Sequence, residues 1–164
     1  MTAASDIASR PPLLIKFVGR VPDPTILARQ LSRSKIPADQ VGFEFDPDAR
    51  DYDWYVVYDN LPSQSGERFP MRREELACPR ENTVLLTSEP SSIKIYDRAF
   101  LRQFGHVISS QEPWALRHPG YVYSQSGLRW YYGLGSKRRL SVDDMIASPP
   151  LAKTQMVSTV CSSK

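Results

Sequence analysis

At 164 residues the chain suits one well-buried domain and is short for two full ones. With 41% hydrophobic and 24% charged residues it matches neither the disordered nor the membrane class. The net charge of +3 comes from 21 basic and 18 acidic residues mixed along the sequence, which argues against a nucleic-acid binder: no stripe of Lys and Arg is interleaved with the aromatics.

The opening residues 1–11 read as a flexible leader. The apolar run around Leu13 is interrupted by Lys16 and is too short for a signal-peptide core or a membrane span. Residues 13–18, LLIKFV, are rich in strand formers and end at Gly19, so they predict a buried strand. Asp23-Pro24 then supplies a cap and a first-turn proline, and Ile26, Leu27, Gln30 and Leu31 carry helical spacing toward Pro37.

A second strand is predicted over 54–58, WYVVY, leaving through the turn-forming group Asp59-Asn60-Leu61-Pro62. Residues 63–80 are polar and broken by Gly and Pro, which suits a long loop with one short helical turn. A third strand, 83–87, stops at Ser88-Glu89-Pro90. Ile93, Tyr96, Phe100, Leu101 and Phe104 recur at three and four, predicting a helix over 93–104 closed by Gly105. A fourth strand follows at 106–110.

Strands alternating with helices predict an α/β fold: a Rossmann-like, doubly wound, mostly parallel sheet with helices on both faces. Ligands of such sheets sit beyond the carboxyl ends of the strands. That rule points to Asp59 and Asn60, to Ser88-Glu89-Pro90, and to Gln111-Glu112-Pro113-Trp114.

After residue 113 the chain changes character. WALRHPGYVYSQSGLRWYYGLGSKRRL holds two of the three tryptophans and four of the eight tyrosines. An ordered aromatic loop is expected there, then a short capped helix over 141–146, a linker at Pro149-Pro150 and a last strand over 156–161.

Glu89 stands where a carboxylate projects into the ligand crevice and can act as a general base. The competing reading is that it caps the helix that follows. Trp114 and Trp130 offer flat faces for stacking on a sugar ring, while Arg117 and His118 can hydrogen-bond its hydroxyls; alternatively, such aromatics simply cover a sheet edge. The two histidines, His106 and His118, have no partner at a zinc-ligand spacing. Cys78 and Cys161 lie far apart in unlike surroundings, so no metal site and no disulfide framework is expected, and a reducing compartment fits. No phosphate-binding glycine loop follows the first strand, which reads FVGRVPD, and no G-x-S-x-G elbow occurs. Lys137-Arg138-Arg139 is the only basic run and can meet an anionic lipid surface or simply be solvated.

The ordered series Leu85-Leu86-Thr87-Ser88-Glu89-Pro90, then FGHVISSQ, then WALRHPGYVYSQSGLRWYYG, resembles the amino-terminal half of bacterial family 10 glycosyltransferases, the α-1,3-fucosyltransferase family. The resemblance runs from about residue 40 to the end. It implies the acceptor-side half of a GT-B architecture: a Rossmann-like domain over 12–150, and a linker with the first strand of a donor domain over 151–164. It implies an inverting, metal-independent transfer in which Glu89 takes the acceptor hydroxyl's proton, with Ser88 and Pro90 standing where the family usually has Gly and Asn. Asp59, Asn60, Gln111, Trp114, Arg117, His118 and Trp130 are then candidate contacts to a saccharide acceptor. The implied donor is GDP-fucose, bound by a donor domain outside this sequence, so the chain alone is expected to be inactive and to need no cofactor of its own. A cytoplasmic location, free or peripheral to the inner membrane, goes with that reading. The alternative is a stand-alone carbohydrate- or partner-binding α/β module without catalysis.

Overall fold

The computed structural model describes residues 13–20, 24–62, 73–125, 134–135 and 138–148. Six strands form one sheet: β1 (Leu13–Gly19), β2 (Val41–Glu44), β3 (Trp54–Tyr58), β4 (Thr83–Leu86), β5 (His106–Ser109) and β6 (Tyr121–Tyr123). Their order is β2-β1-β3-β4-β5-β6, and every pairing is parallel. The four predicted strands therefore lie side by side as expected, in an α/β, Rossmann-like sheet. A separate antiparallel pair joins β7 (Leu134–Gly135) to β8 (Arg138–Arg139).

Two edge strands depart from the expectation. β2 is four residues long, contains a glycine and runs straight into an acidic turn, so its apolar content is too small to announce it. β6 lies inside the segment expected to be an aromatic loop. It reaches β5 because Gly120 has no side chain: a Cβ there would sit 2.1 Å from the Gly105 carbonyl oxygen.

Alternation along the strands sends one set of side chains to a closed face. Lys16 and Val18, Tyr55 and Val57, Thr83 and Leu85, and Val107 and Ser109 are all buried there. Tyr52, Cys78, Tyr96, Leu101, Phe104 and Leu116, from the segments bordering β3 to β6, close the cluster. Ile15, Phe17, Trp54, Val56, Val84, Leu86 and Ile108 on the other face are only half-buried. From β1 the chain steps one way to β2 and then back past β1 to β3 and onward, a reversal that puts right-handed crossovers on opposite faces.

The connections hold less helix than the spacing predicts. The segment after β1 is a 3-10 helix, Pro24–Gln30, and the helix expected over 93–104 shrinks to α1 (Arg98–Leu101). The cause is visible in the side chains. Lys94 and Tyr96 both reach back to Asp59, which holds residues 93–96 in an irregular path and leaves Ile93 and Ile95 at 65% and 78% exposure. The helical spacing counts Ile93 in the apolar stripe, but only Tyr96, Leu101 and Phe104 of this segment enter the core.

Lys16 is the polar exception in the core. Its ammonium donates to the Ala49 carbonyl at 2.8 Å and to Glu74 Oε1 at 2.6 Å, and it lies 5.1 and 5.4 Å from the rings of Tyr52 and Tyr55.

The second helix, α2 (Val142–Ala147), appears where the capping signal placed it. Ser141 and Asp144 form a reciprocal capping box. Asp143 fastens it to the turn after the 3-10 helix, accepting from the Ser32 hydroxyl at 2.7 Å, the Ser34 hydroxyl at 3.0 Å and the Arg33 and Ser34 amides at 2.7 and 3.2 Å. These donors, the Ser32 hydroxyl foremost, hold the Asp143 carboxyl below its ordinary value against the opposing effect of desolvation. A depressed native value means that the contact is fully made above the ordinary 3.8 and is lost as pH falls below it through the lowered value. Asp143→Asn is therefore expected to speed amide exchange in α2 at neutral pH and leave β4 and β5 protected. Equal exchange in α2 of variant and parent would show that the carboxylate does not hold the helix.

The linker at 149–150, the strand expected over 156–161, most of the loop 63–80 and Trp130 lie outside the described residues.

Candidate functional site

Ladder hydrogen bonds continue past the carboxyl ends of the central strands. The Asp59 amide donates to the Leu86 carbonyl at 2.8 Å, and the Thr87 amide to the Ile108 carbonyl at 3.0 Å. Asp59 then adopts φ 63°, the left-handed region that Asp and Asn tolerate better than other side-chain-bearing residues. This turn ends β3 and directs the Asp59 carboxylate toward residues 88–96.

Two side chains meet that carboxylate. The Tyr96 hydroxyl donates to Oδ1, and the Lys94 ammonium donates to Oδ2 at 2.9 Å and to the Asp59 carbonyl at 3.2 Å. Burial alone raises the Asp59 pKa, but the hydrogen bonds from Tyr96 and Lys94 and the Lys94 charge outweigh it, so the carboxyl lies below its ordinary range. Tyr96 shifts the other way: burial first, then the bond to Asp59, push its hydroxyl far above the usual tyrosine value. It stays protonated and acts only as a donor toward Asp59.

Glu89 follows β4 by three residues and is partly exposed. Among the described residues its carboxylate has no hydrogen-bond or ion-pair partner. The capping reading is thereby corrected: the cap of α1 is Asp97, whose Oδ1 accepts from the Ala99 and Phe100 amides at 2.7 and 3.3 Å. The Glu89 charge adds a little to the raised Tyr96 pKa, and its turn follows β4 at the same sheet edge as Asp59 follows β3.

Gln111 stands at the site as a support. It is 2% exposed, and its Nε2 donates to the backbone carbonyls of Glu89 and Lys94, each at 2.9 Å. Its backbone amide donates to the Ser109 hydroxyl at 3.0 Å, and its carbonyl accepts from Tyr121 at 2.5 Å. Its side-chain amide is spent on holding the 89–94 segment in place. Asn60 likewise serves its own turn, accepting the Leu61 amide at 2.9 Å.

Of the remaining candidates, His118 lies at the opposite edge of the sheet. Trp114 is 71% exposed on the turn that follows Glu112. The chain from β5 to β6 must travel from the carboxyl edge to the amino edge, because the two strands are parallel. His118 has reached the amino edge. Its Nδ1 accepts from the Gly120 amide at 3.0 Å, which leaves the proton on Nε2 to donate to the Phe104 carbonyl at 3.1 Å. Burial, then the nearby Arg80 and His106, hold its pKa below the ordinary value despite the pull of that carbonyl. It is a neutral structural link. Arg117 and His118 line an open hollow of about 460 Å³ with Leu116 and Tyr121, away from Glu89.

Sequence reasoning missed Lys94 and Tyr96. Both fall inside the expected helix, Tyr96 as part of its apolar stripe, and no motif marks them as partners of a residue 35 positions before Lys94.

Among the described residues no group of three or more His, Cys, Asp or Glu is arranged to hold a metal ion, and no helix is long and apolar enough to cross a membrane. No family model matches the chain, and no match was found among curated proteins or solved structures. The functional reading rests on the residues themselves.

Proposed function

We propose that the chain is the acceptor-binding domain of an inverting, fucosyltransferase-like glycosyltransferase, with Glu89 as the base that deprotonates the acceptor hydroxyl. The observation that carries this reading is the Glu89 carboxylate, unpartnered among the described residues, at the sheet edge it shares with Asp59 beyond the carboxyl ends of β3 and β4. In the reaction, the acceptor oxygen attacks the anomeric carbon of the donor sugar as the bond to the nucleotide diphosphate breaks. The acceptor's proton passes to Glu89.

Local charge supports an uncharged ligand. Among the described residues, Asp59, Glu89 and Glu112, the last bonded to Ser91 at 2.9 Å, stand at this edge with the Lys94 ammonium, itself bonded to Asp59, and Arg20 after β1. Such a balance repels a diphosphate and suits a neutral polyol. Close packing at the end of β1 points the same way. A Cβ on Gly19 would lie 2.8 Å from the Tyr58 carbonyl oxygen and 2.9 Å from its Cβ, so that backbone is already pressed against β3.

The test is a pair of titrations on the chain. Methyl β-galactoside, methyl β-glucoside and methyl N-acetyl-β-glucosaminide are expected to shift amide resonances of residues 59–61 and 88–94 with millimolar affinity for at least one sugar. GDP-fucose is expected to bind weakly or not at all in calorimetry. Micromolar binding of GDP-fucose would overturn the assignment to the acceptor side. Glycoside binding together with full activity of a Glu89→Gln enzyme would favour a carbohydrate-binding module whose chemistry lies elsewhere.

A further inference from the structure

Building on the saccharide-acceptor reading, we infer that Asp59 and Lys94 form a two-point clamp for adjacent hydroxyl groups of the acceptor, with Tyr96 as the residue that positions Asp59. The inference follows from counting the hydrogen-bonding capacity that remains. An ammonium carries three N–H donors. Lys94 uses two, on Asp59 Oδ2 and on the Asp59 carbonyl, and its side chain is 30% exposed. A carboxylate offers about four lone-pair sites. Tyr96 and Lys94 occupy two of those on Asp59, and its side chain is 26% exposed.

One donor and at least one acceptor site thus remain side by side on this half-buried pair. A vicinal diol matches that pair: one hydroxyl donates to Asp59 while the oxygen beside it accepts from Lys94. Other ligands match poorly. A phosphate meets Asp59 and Glu89, and an amine meets Lys94. The pair is also rigid. The Lys94 ammonium rests 4.4 Å from the Tyr96 ring centroid, Tyr96 is buried, and the Lys94 carbonyl is held by Gln111. Little ordering remains to be done when a sugar arrives.

The experiment measures affinity of the full chain for the best-binding methyl glycoside and for its monodeoxy analogues, by NMR titration. Lys94→Met, which removes the charge and keeps the length, and Asp59→Asn, which tolerates the left-handed backbone, are each expected to weaken binding about tenfold to a hundredfold, as for a lost hydrogen bond to a charged group. Tyr96→Phe is expected to weaken it less. The discriminating readout is coupling: a deoxy analogue that binds poorly to the parent chain should lose nothing further in Lys94→Met, because its contact is already absent. A purely structural ion pair would lower affinity for every analogue alike, and that pattern overturns the clamp. Parent-like affinity in both charge variants, with shifts at Glu89 retained, overturns the clamp and leaves the acceptor reading standing. No glycoside shift in the parent chain overturns both.

Discussion

Replacing Glu74 by alanine is expected to remove about 3–5 kcal/mol of stability, because it leaves the Lys16 ammonium buried without its counter-charge. Lys16 has a side-chain exposure of 0% and Glu74 of 6%, so little water is at hand to take over. What remains around Lys16 is the Ala49 carbonyl and the faces of Tyr52 and Tyr55, which attract a cation but do not neutralise it. Arg50, 3.8 Å from the same carboxylate and largely exposed, cannot compensate a missing anion. The loss would be a large share of the roughly 5–15 kcal/mol that holds an ordinary domain together. Urea titration reads it as a fall in midpoint at constant slope. The double variant Lys16→Met, Glu74→Leu should recover most of the loss, short of about 1–3 kcal/mol for the Ala49 carbonyl left unpaired. A Glu74→Ala variant less than about 1 kcal/mol below the parent would mean that the pair behaves like an exposed salt bridge.

The same buried pair shows why parts of the fold are legible in the sequence and others are not. Short runs such as Val84, Leu85 and Leu86, or Tyr55, Val56 and Val57, announce central strands because one face is closed, the other is half-buried and nearly every position is apolar. Lys16 interrupts such a run without breaking the strand, since its partner arrives from a segment 58 residues away that no local pattern reveals. Edge strands β2 and β6 have fewer buried positions and so carry weaker signals. The spacing overestimates helix over 93–104 for a related reason. It registers that Tyr96 is buried, but not that its hydroxyl and the Lys94 ammonium are drawn away to Asp59.

At the site, the topological rule finds Asp59, Glu89 and Gln111 because turn residues directly after strands of a parallel sheet must gather at one edge. The rule does not extend to residues farther along a connection. Arg117 and His118 sit where the chain has already crossed to the amino edge, and the aromatics of that segment among the described residues are the exposed Trp114 and Tyr121 and Tyr123 of β6. Gln111 stands at the expected position but in a different role, bracing Glu89 and Lys94 through their carbonyls.

The role of Glu89 is decided by a variant that separates rate from stability. Glu89→Gln keeps the shape of the side chain and removes its ability to take a proton. With a donor domain joined to the chain and turnover measured on an acceptor glycoside, the rate is expected to fall about 10²–10⁴-fold, the usual range for a lost general base. The melting curve is expected to stay within about 0.5 kcal/mol of the parent, as for a surface change that breaks no contact. The structure gives a reason for that second expectation: Asp97 caps α1, and the Glu89 carboxylate bonds to none of the described residues, so no fold contact among them depends on its charge. Asp59 cannot substitute as the base, since the donors around it hold its pKa below the ordinary value and weaken its pull on a proton. A folded Glu89→Gln enzyme with undiminished turnover would take Glu89 out of the chemistry, whereas a variant that loses stability and rate together would show that the carboxylate supports the turn after β4.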